Sequence, residues 1–301
     1  MRDARHHPAV KTFWTTADLH AIGKSQRDIR RAVEKGLLLP ARRGHFALPG
    51  TDPLLIEAVR IGGIATATTA SRLRGLWTPP DPRLAGPPAH GISTPSDQRL
   101  YVAVPNNTPR LRDRHDPEQP FTASEDVVLL WTDPAEVAAG RTTGLASPLL
   151  MLQHIHLTQP AERALAVTDS ALKQRYLREA DLPALAERLP AHLRHVVLAA
   201  TRSSDSGIES IGRFRLQLMG LDVEVLVKLS RVGTVDILVD GWLVIEMDGR
   251  EFHEGERFER DRQRDLQAAA QRYRTLRFSW RQVMFQWPEV ERAVLAAIAS
   301  R

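Results

Sequence analysis

Cysteine is absent from the 301-residue chain. That absence excludes disulfides, thiolate metal sites and a cysteine nucleophile, and it fits a reducing compartment. Long apolar runs are also missing. None approaches the ~20 residues of a membrane span, and the N-terminal stretch has no apolar segment resembling a secretory signal. There is no internal repeat and no glycine spacing of a phosphate-binding loop. These absences lead to the expectation of a soluble, cytoplasmic protein with no membrane partner. Its length suggests two or three domains, and an apolar content of 43% with 26% charged residues is ordinary for a globular chain.

Charge is present but uneven. The first fifty residues hold ten Lys and Arg against four Asp and Glu, a net +6, while the remaining 31 basic and 32 acidic residues leave −1. A basic N-terminal module on a near-neutral body points to an anionic partner at that end, most simply DNA. Residues 14–50 read as helix, turn, helix, hairpin. Thr16 is positioned to cap a short helix closed by Gly23, and Ser25 a second helix closed by Gly36. In the second helix Ile29, Ala32 and Val33 fall on one face, and Arg27, Arg30, Arg31 and Lys35 cover the rest. The runs 37–39 and 45–48 flank a basic tip carrying Arg42 and Arg43, which reads as a hairpin. This is the outline of a winged helix-turn-helix. Its second helix would enter the major groove, and its wing would reach the adjacent backbone.

Residues 51–200 carry less information. Helices are predicted near 53–61, 66–75, 148–157, 161–174, 182–188 and 191–201, with strands near 99–104 and 126–131. His154 and His156 lie two apart and cannot share a helix face, so they read as core or surface histidines and not as a joint metal site. The Ser-rich stretch 201–207 reads as a linker. The expected organisation is a multidomain α+β or α/β chain: a winged helix over 1–50, an α/β middle domain over 51–201, and a C-terminal domain over 206–301.

The chemistry concentrates in that last domain. Two apolar, β-branched runs near 234–239 and 242–248 carry Asp236, Glu246 and Asp248 in their interiors. His253 follows, then a helix near 257–271 rich in Arg. Carboxylates inside buried strands are costly without a partner. Glu246 and Asp248 point the same way along one strand. Asp236 joins their face only if the Asp240-Gly241 turn has an odd or bulged loop; a two-residue loop would pair 236 with 245 and send Asp236 to the other face. With the odd loop the carboxylates converge, and at about 4 Å two like charges repel by roughly 4 kcal/mol at an effective dielectric of ~20. A proton or a divalent cation must then bind, and Mg²⁺ or Mn²⁺ suits an all-oxygen site. His253 would act as general base or hold the attacking water, and Arg262 and Arg264 would neutralise a phosphate. Asp265 reads as the helix-surface ion-pair partner of Arg262.

These residues resemble the PD-(D/E)xK nuclease superfamily, in the branch related to very-short-patch-repair (Vsr) endonucleases. The likeness rests on Glu209 in an acidic helix, Val235-Asp236, Glu246-Met247-Asp248-Gly249 with His253, Asp261-Arg262-Gln263-Arg264-Asp265, and Leu276-Arg277-Phe278. The resemblance implies a restriction-endonuclease-like mixed sheet flanked by helices and metal-dependent cleavage of DNA phosphodiesters. By carry-over Asp236 and Glu246 bind metal, and Glu209, Asp248 and His253 complete the site. The chain departs from the pattern where Asp248 replaces the superfamily's Lys, Arg272 a common Gly, and Leu226 a common Gln. Residues 14–50, with 66–77, resemble the winged-helix domain of AbiEi-type antitoxins from type IV toxin–antitoxin systems, which implies DNA or promoter binding.

Two functions follow as expectations. One is a DNA endonuclease, nicking enzymes included, in defence, repair or mobile-element biology. The other is an antitoxin-like repressor with a non-catalytic nuclease fold. A homodimer and a cognate toxin stay open as partners.

Overall fold

Side-chain caps set where the N-terminal helices begin. In the computed structural model, which describes residues 11–81, 96–106, 108–248 and 256–301, strand β1 (Phe13–Thr15) leads into helix α1 (Thr16–Ala21). The cap is Thr15, one residue before the expected Thr16. Its hydroxyl accepts the Asp18 N–H at 3.1 Å, and the Asp18 carboxylate accepts the Thr15 N–H at 2.8 Å, a reciprocal capping box. Ser25 and Asp28 repeat the arrangement at α2 (Gln26–Glu34). Ile29 is buried with Leu19 and Leu38, and Ala32 and Val33 pack at the edge of that small core. Strands β2 (Leu39–Arg42) and β3 (His45–Ala47) make the hairpin, with β3 between β1 and β2 in an antiparallel sheet.

The chain continues through α3 (Pro53–Ile61), β4 (Ile64–Ala65), α4 (Ala67–Leu73), β5 (Leu100–Pro105), β6 (Val127–Thr132), α5 (Pro134–Gly140) and α6 (Pro148–Thr158). Strand β5 lies between antiparallel β4 and parallel β6. No packing gap follows residue 50, where a domain boundary was expected. Phe13, Ala41 and Ala47 share one hydrophobic core with Leu55, Ile61 and Val102. The Thr12 and Phe13 N–H groups donate to the Thr142 carbonyl at 2.8 and 2.9 Å. Gly144 has φ +73°, and a Cβ there would sit 2.6 Å from the Phe13 ring, so the turn before α6 has no room for a side chain. Residues 11–78 and 96–158 thus form one compact unit. His154 and His156 are buried core residues. The His154 ring bonds the Thr66 hydroxyl at 2.8 Å, and burial pushes His156 down to about 4.

The second unit takes residues 159–301. It opens with α7 (Ala161–Lys173), a 3₁₀ turn (Glu179–Asp181), α8 (Leu182–Glu187) and α9 (Ala191–Leu198). Then come α10 (Gly207–Leu218), β7 (Val223–Leu229), β8 (Gly233–Val239), β9 (Leu243–Asp248), α11 (Glu256–Ala270), β10 (Arg274–Ser279), α12 (Trp280–Phe285) and α13 (Trp287–Ala299). The sheet order is β10-β9-β8-β7. Its first three strands in sequence are antiparallel, and β10 runs parallel to β9, so the connection must cross over, and α11 is that crossover. Alternation along β9 sends Val244 to the α11 face, where it packs with Leu238 and Ala268. Met247 goes to the α10 face, and a Cβ on Gly212 would fall 1.9 Å from its methyl group. The chain as a whole is a mixed α+β architecture, and among the described residues no helix is long and apolar enough to cross a membrane.

The Ser-rich stretch 201–207, expected as an interdomain linker, is tied into this second unit. Asp169 of α7 pairs with Arg213 of α10 at 2.9 Å, with side chains only 2% and 4% exposed. Asp169 also accepts the Thr201 N–H at 2.8 Å, and Arg213 donates to the Ala199 carbonyl at 2.9 Å. Burial raises the Asp169 carboxyl and the Arg213 charge opposes that rise. Removing one member of a buried pair leaves the other charge uncompensated, at a typical cost of about 3–5 kcal/mol. Asp169→Ala is expected to lose about that much unfolding free energy, read from the denaturant midpoint. A loss below ~1 kcal/mol, the size of an exposed pair, would show that this pair does not join α7 to α10.

Candidate active site

The β8–β9 turn decides which side chains meet. Val239 faces Leu243, Leu238 faces Val244 and Ile237 faces Ile245, which leaves Asp240, Gly241 and Trp242 as a three-residue loop. Asp240 and Gly241 have φ of +49° and +72°, the left-handed pair of a type I′ turn. The Trp242 N–H closes the turn on the Val239 carbonyl at 3.1 Å, so Trp242 is the odd residue. One step beyond the Ile237–Ile245 pair, this register sets Asp236 opposite Glu246 and on the same face.

Both ladders open at Asp236. On the β7 side Val225 pairs with Ile237 and Val227 with Val235, but Leu226 between them does not pair, and its φ is +50°. A leucine in that region costs roughly 1–2 kcal/mol. On the β9 side the Asp236 carboxylate accepts the Met247 N–H at 2.9 Å. Nothing in the sequence signals the Leu226 distortion; the residue stood out only as a departure from a family pattern.

Glu246 lies against Asp236, and its side chain is 15% exposed. Burial, then the Asp236 charge and a hydrogen bond between the two carboxyl groups, push its carboxyl up to about 7, with Arg264 pulling the other way. Arg264 reaches this pair from α11. Its Nε donates to the Val232 carbonyl at 3.0 Å. Its Nη2 donates to the Thr234 carbonyl at 2.7 Å and to Glu246 Oε1 at 3.2 Å. Glu209 is buried nearby. Its carboxylate accepts the Asp205 N–H at 2.7 Å and the Ser206 hydroxyl at 2.8 Å at the start of its own helix. Burial raises its pKa, and the Asp236 charge adds to the rise against those two hydrogen bonds.

The structure therefore brings Asp236, Glu246 and Arg264 together, with Glu209 within electrostatic reach. His253 and the side chains of Asp248 and Arg262 lie outside the described residues. Among the described residues no group of three His, Asp or Glu side chains is gathered to hold a metal; of the three expected carboxylates, Asp236 and Glu246 are described and the Asp248 side chain is not. Those two fit a hard divalent cation on chemical grounds, since hydrogen-bonded carboxyl groups need either a proton or a cation between them. Asp265 binds Arg277 of β10 through both oxygens, at 2.7 and 2.5 Å; the expected pairing with Arg262 lies outside the described side chains.

In the first unit Arg27, Arg30, Arg31 and Lys35 are exposed on and just after α2, and Arg43 is exposed at the hairpin tip. Arg42 is not the open wing residue that was expected. It is half-buried, with one guanidinium nitrogen 2.5 Å from where a Cβ of Gly62 would be, so the missing side chain at Gly62 lets it fold inward. Comparison with protein-family models and with curated proteins finds no match to this chain.

The raised carboxyl makes stability depend on pH. A carboxyl lifted from 4.5 to about 7 costs nothing below its ordinary value and destabilises progressively as pH rises through that window. Glu246→Gln is expected to melt like the parent near pH 4.5 and higher than the parent above pH 7, by at most about 3 kcal/mol at 1.36 kcal/mol per pK unit. Parallel melting curves at every pH would mean that Glu246 titrates normally.

Proposed function

We propose that the chain is a metal-dependent DNA endonuclease whose second unit cuts and whose N-terminal helix-turn-helix and hairpin hold the duplex. The observation that supports this best is the facing of Asp236 and Glu246 at an opening in both strand ladders, with Arg264 fixed beside them. The α10–β7–β8–β9–α11–β10 order also agrees with the resemblance to PD-(D/E)xK nucleases. Asp236 and Glu246 would hold Mg²⁺ or Mn²⁺, which when bound supplies an activated water and neutralises charge on the scissile phosphate. The protein's own groups do the rest. Glu246 gives up its shared proton when a cation takes its place. Arg264, held by two backbone carbonyls, presents a guanidinium to a phosphate oxygen without reorganising. It would supply the positive charge missing at position 248. Asp248 and His253 remain proposed members of the site.

A second reading, an antitoxin-like DNA-binding repressor, is favoured by one observation. Both Glu209 oxygens are engaged at its own helix start, and Arg264 already compensates Glu246, so the acidic residues have structural partners.

The two readings separate on supercoiled plasmid with Mg²⁺ or Mn²⁺. The parent is expected to nick or linearise it, and Asp236→Ala and Glu246→Ala to lose on the order of 100-fold or more, the scale of losing one charge-stabilising group. Chelation should abolish cutting and leave DNA binding in place. If parent and variants leave plasmid and single strands equally intact, while the parent binds its own promoter without metal, the repressor reading stands.

A further inference from the structure

Three arginines of the first unit meet without an ion-pair partner among the described residues. Arg42 ends β2, Arg112 lies in the loop after β5, and Arg141 caps the C-terminus of α5. Backbone contacts bring them together. The Arg112 N–H donates to the Ile61 carbonyl at 3.1 Å, next to Gly62, whose open face receives the Arg42 guanidinium. Thr142, one residue after Arg141, accepts from Thr12 and Phe13, and β1 there runs beside β3, whose His45 is the register partner of Arg42. Arg60 holds this corner in place by donating to the Ala41 carbonyl at 3.2 Å and to the Arg114 and His115 carbonyls at 2.9 and 3.1 Å.

The hydrogen bonds of the cluster go to carbonyls. Arg42 reaches the Arg110 carbonyl at 3.4 Å and Arg112 the Glu118 carbonyl at 3.3 Å. Carbonyl dipoles satisfy N–H groups but bring no net charge. Among the described residues, none of the three forms an ion pair. Three acidic groups of this unit are occupied elsewhere. Glu57 pairs with Arg114 at 2.5 Å, Asp18 with Lys11 at 2.9 Å, and Asp113 accepts the N–H groups of His115 and Asp116. Burial, then the charges of Arg112 and Arg141, hold the Arg42 guanidinium below its ordinary value, and burial followed by Arg141 and Arg42 does the same to His45. A half-buried guanidinium beside two others, with no ion pair among the described residues, destabilises the free fold unless an anion joins it.

We infer that Arg42, Arg112 and Arg141 form a seat for backbone phosphates of duplex DNA, with Arg42 as its inner wall. Contact with DNA would then extend beyond the helix-turn-helix onto the loop after β5 and the end of α5. The inference shares with the proposed function only the nature of the partner. It is therefore tested by binding in the presence of EDTA, where cutting plays no part.

The experiment uses the full chain, a fluorescein-labelled duplex of arbitrary sequence, and a KCl series read by anisotropy. Arg112→Gln and Arg141→Gln each change an arginine whose charge crowds Arg42. Each variant is expected to flatten the plot of log affinity against log salt by roughly one, equally on unrelated sequences. Each should also melt at the parent's temperature or higher without DNA, because a like-charge contact has been relieved. Unchanged salt slopes would overturn the inference. Weaker binding with a matching fall in melting temperature would also overturn it, by showing that these arginines only support the fold. Inorganic phosphate is the control for a free-anion site. If it protects the parent against melting as well as the duplex does at equal phosphate concentration, the assignment to DNA falls.

Discussion

The β8–β9 register is the constraint on which the C-terminal chemistry depends, and one residue sets it. Trp242 makes the loop odd, so Ile237 faces Ile245 and Asp236 comes up beside Glu246. Removing that residue would shift the pairing by one and invert every side chain of β9 relative to β8. Val244 would leave the core it shares with Leu238 and Ala268, and Arg264 would face an apolar strand with its charge unpartnered. Apolar packing and the acidic pair therefore select the same register, and neither can slip without the other.

Charge balance separates the supporting interactions from the candidate sites. Arg213–Asp169, Arg114–Glu57, Arg215–Glu162 and Arg277–Asp265 each match one cation to one anion. Pairs of this kind join elements, and the chemistry of the molecule is not altered by their presence. Two places are unmatched. Among the described residues Asp236 and Glu246 share Arg264, and burial with the Asp236 charge pushes the Glu246 carboxyl up to about 7. Around Arg42 lie Arg112 and Arg141, and among the described residues none of the three forms an ion pair. Uncompensated charge in a partly buried place destabilises the free protein, so it persists where a bound partner removes the cost. Of the two unmatched places, the negative one suits a cation and the positive one a phosphate.

Local features were legible from residues alone. The cap at Ser25, the apolar face of α2, and the strands bearing the acids all follow from nearest-neighbour chemistry, and even the one-residue displacement from Thr16 to Thr15 is a choice between adjacent hydroxyls. What was not legible depends on contacts distant in sequence. The Ser-rich stretch has the composition of a linker, but Asp169, 32 residues earlier, accepts the Thr201 N–H. The first fifty residues look separable, but Phe13 packs at Gly144. Arg42 looks like a wing tip because its accommodation at Gly62 leaves no local sign. Asp265 binds Arg277 of the neighbouring strand, a partner that helical spacing does not reveal.

Leu226 is the case in which local rules fail most informatively. A γ-branched residue in the left-handed region inside a strand gains nothing from propensity. Yet it sits opposite Asp236, at the one position where the β7–β8 ladder is interrupted. If Leu226 were extended and paired, β8 would be held on both sides and the Asp236 backbone would be a regular ladder member. With the ladder open, the Asp236 carboxylate can turn to accept the Met247 N–H, which fixes it beside Glu246. The strain at Leu226 and the orientation of Asp236 are then two consequences of one opened ladder. That opening accounts for how a strand built mainly of buried apolar residues can present an acid at its centre.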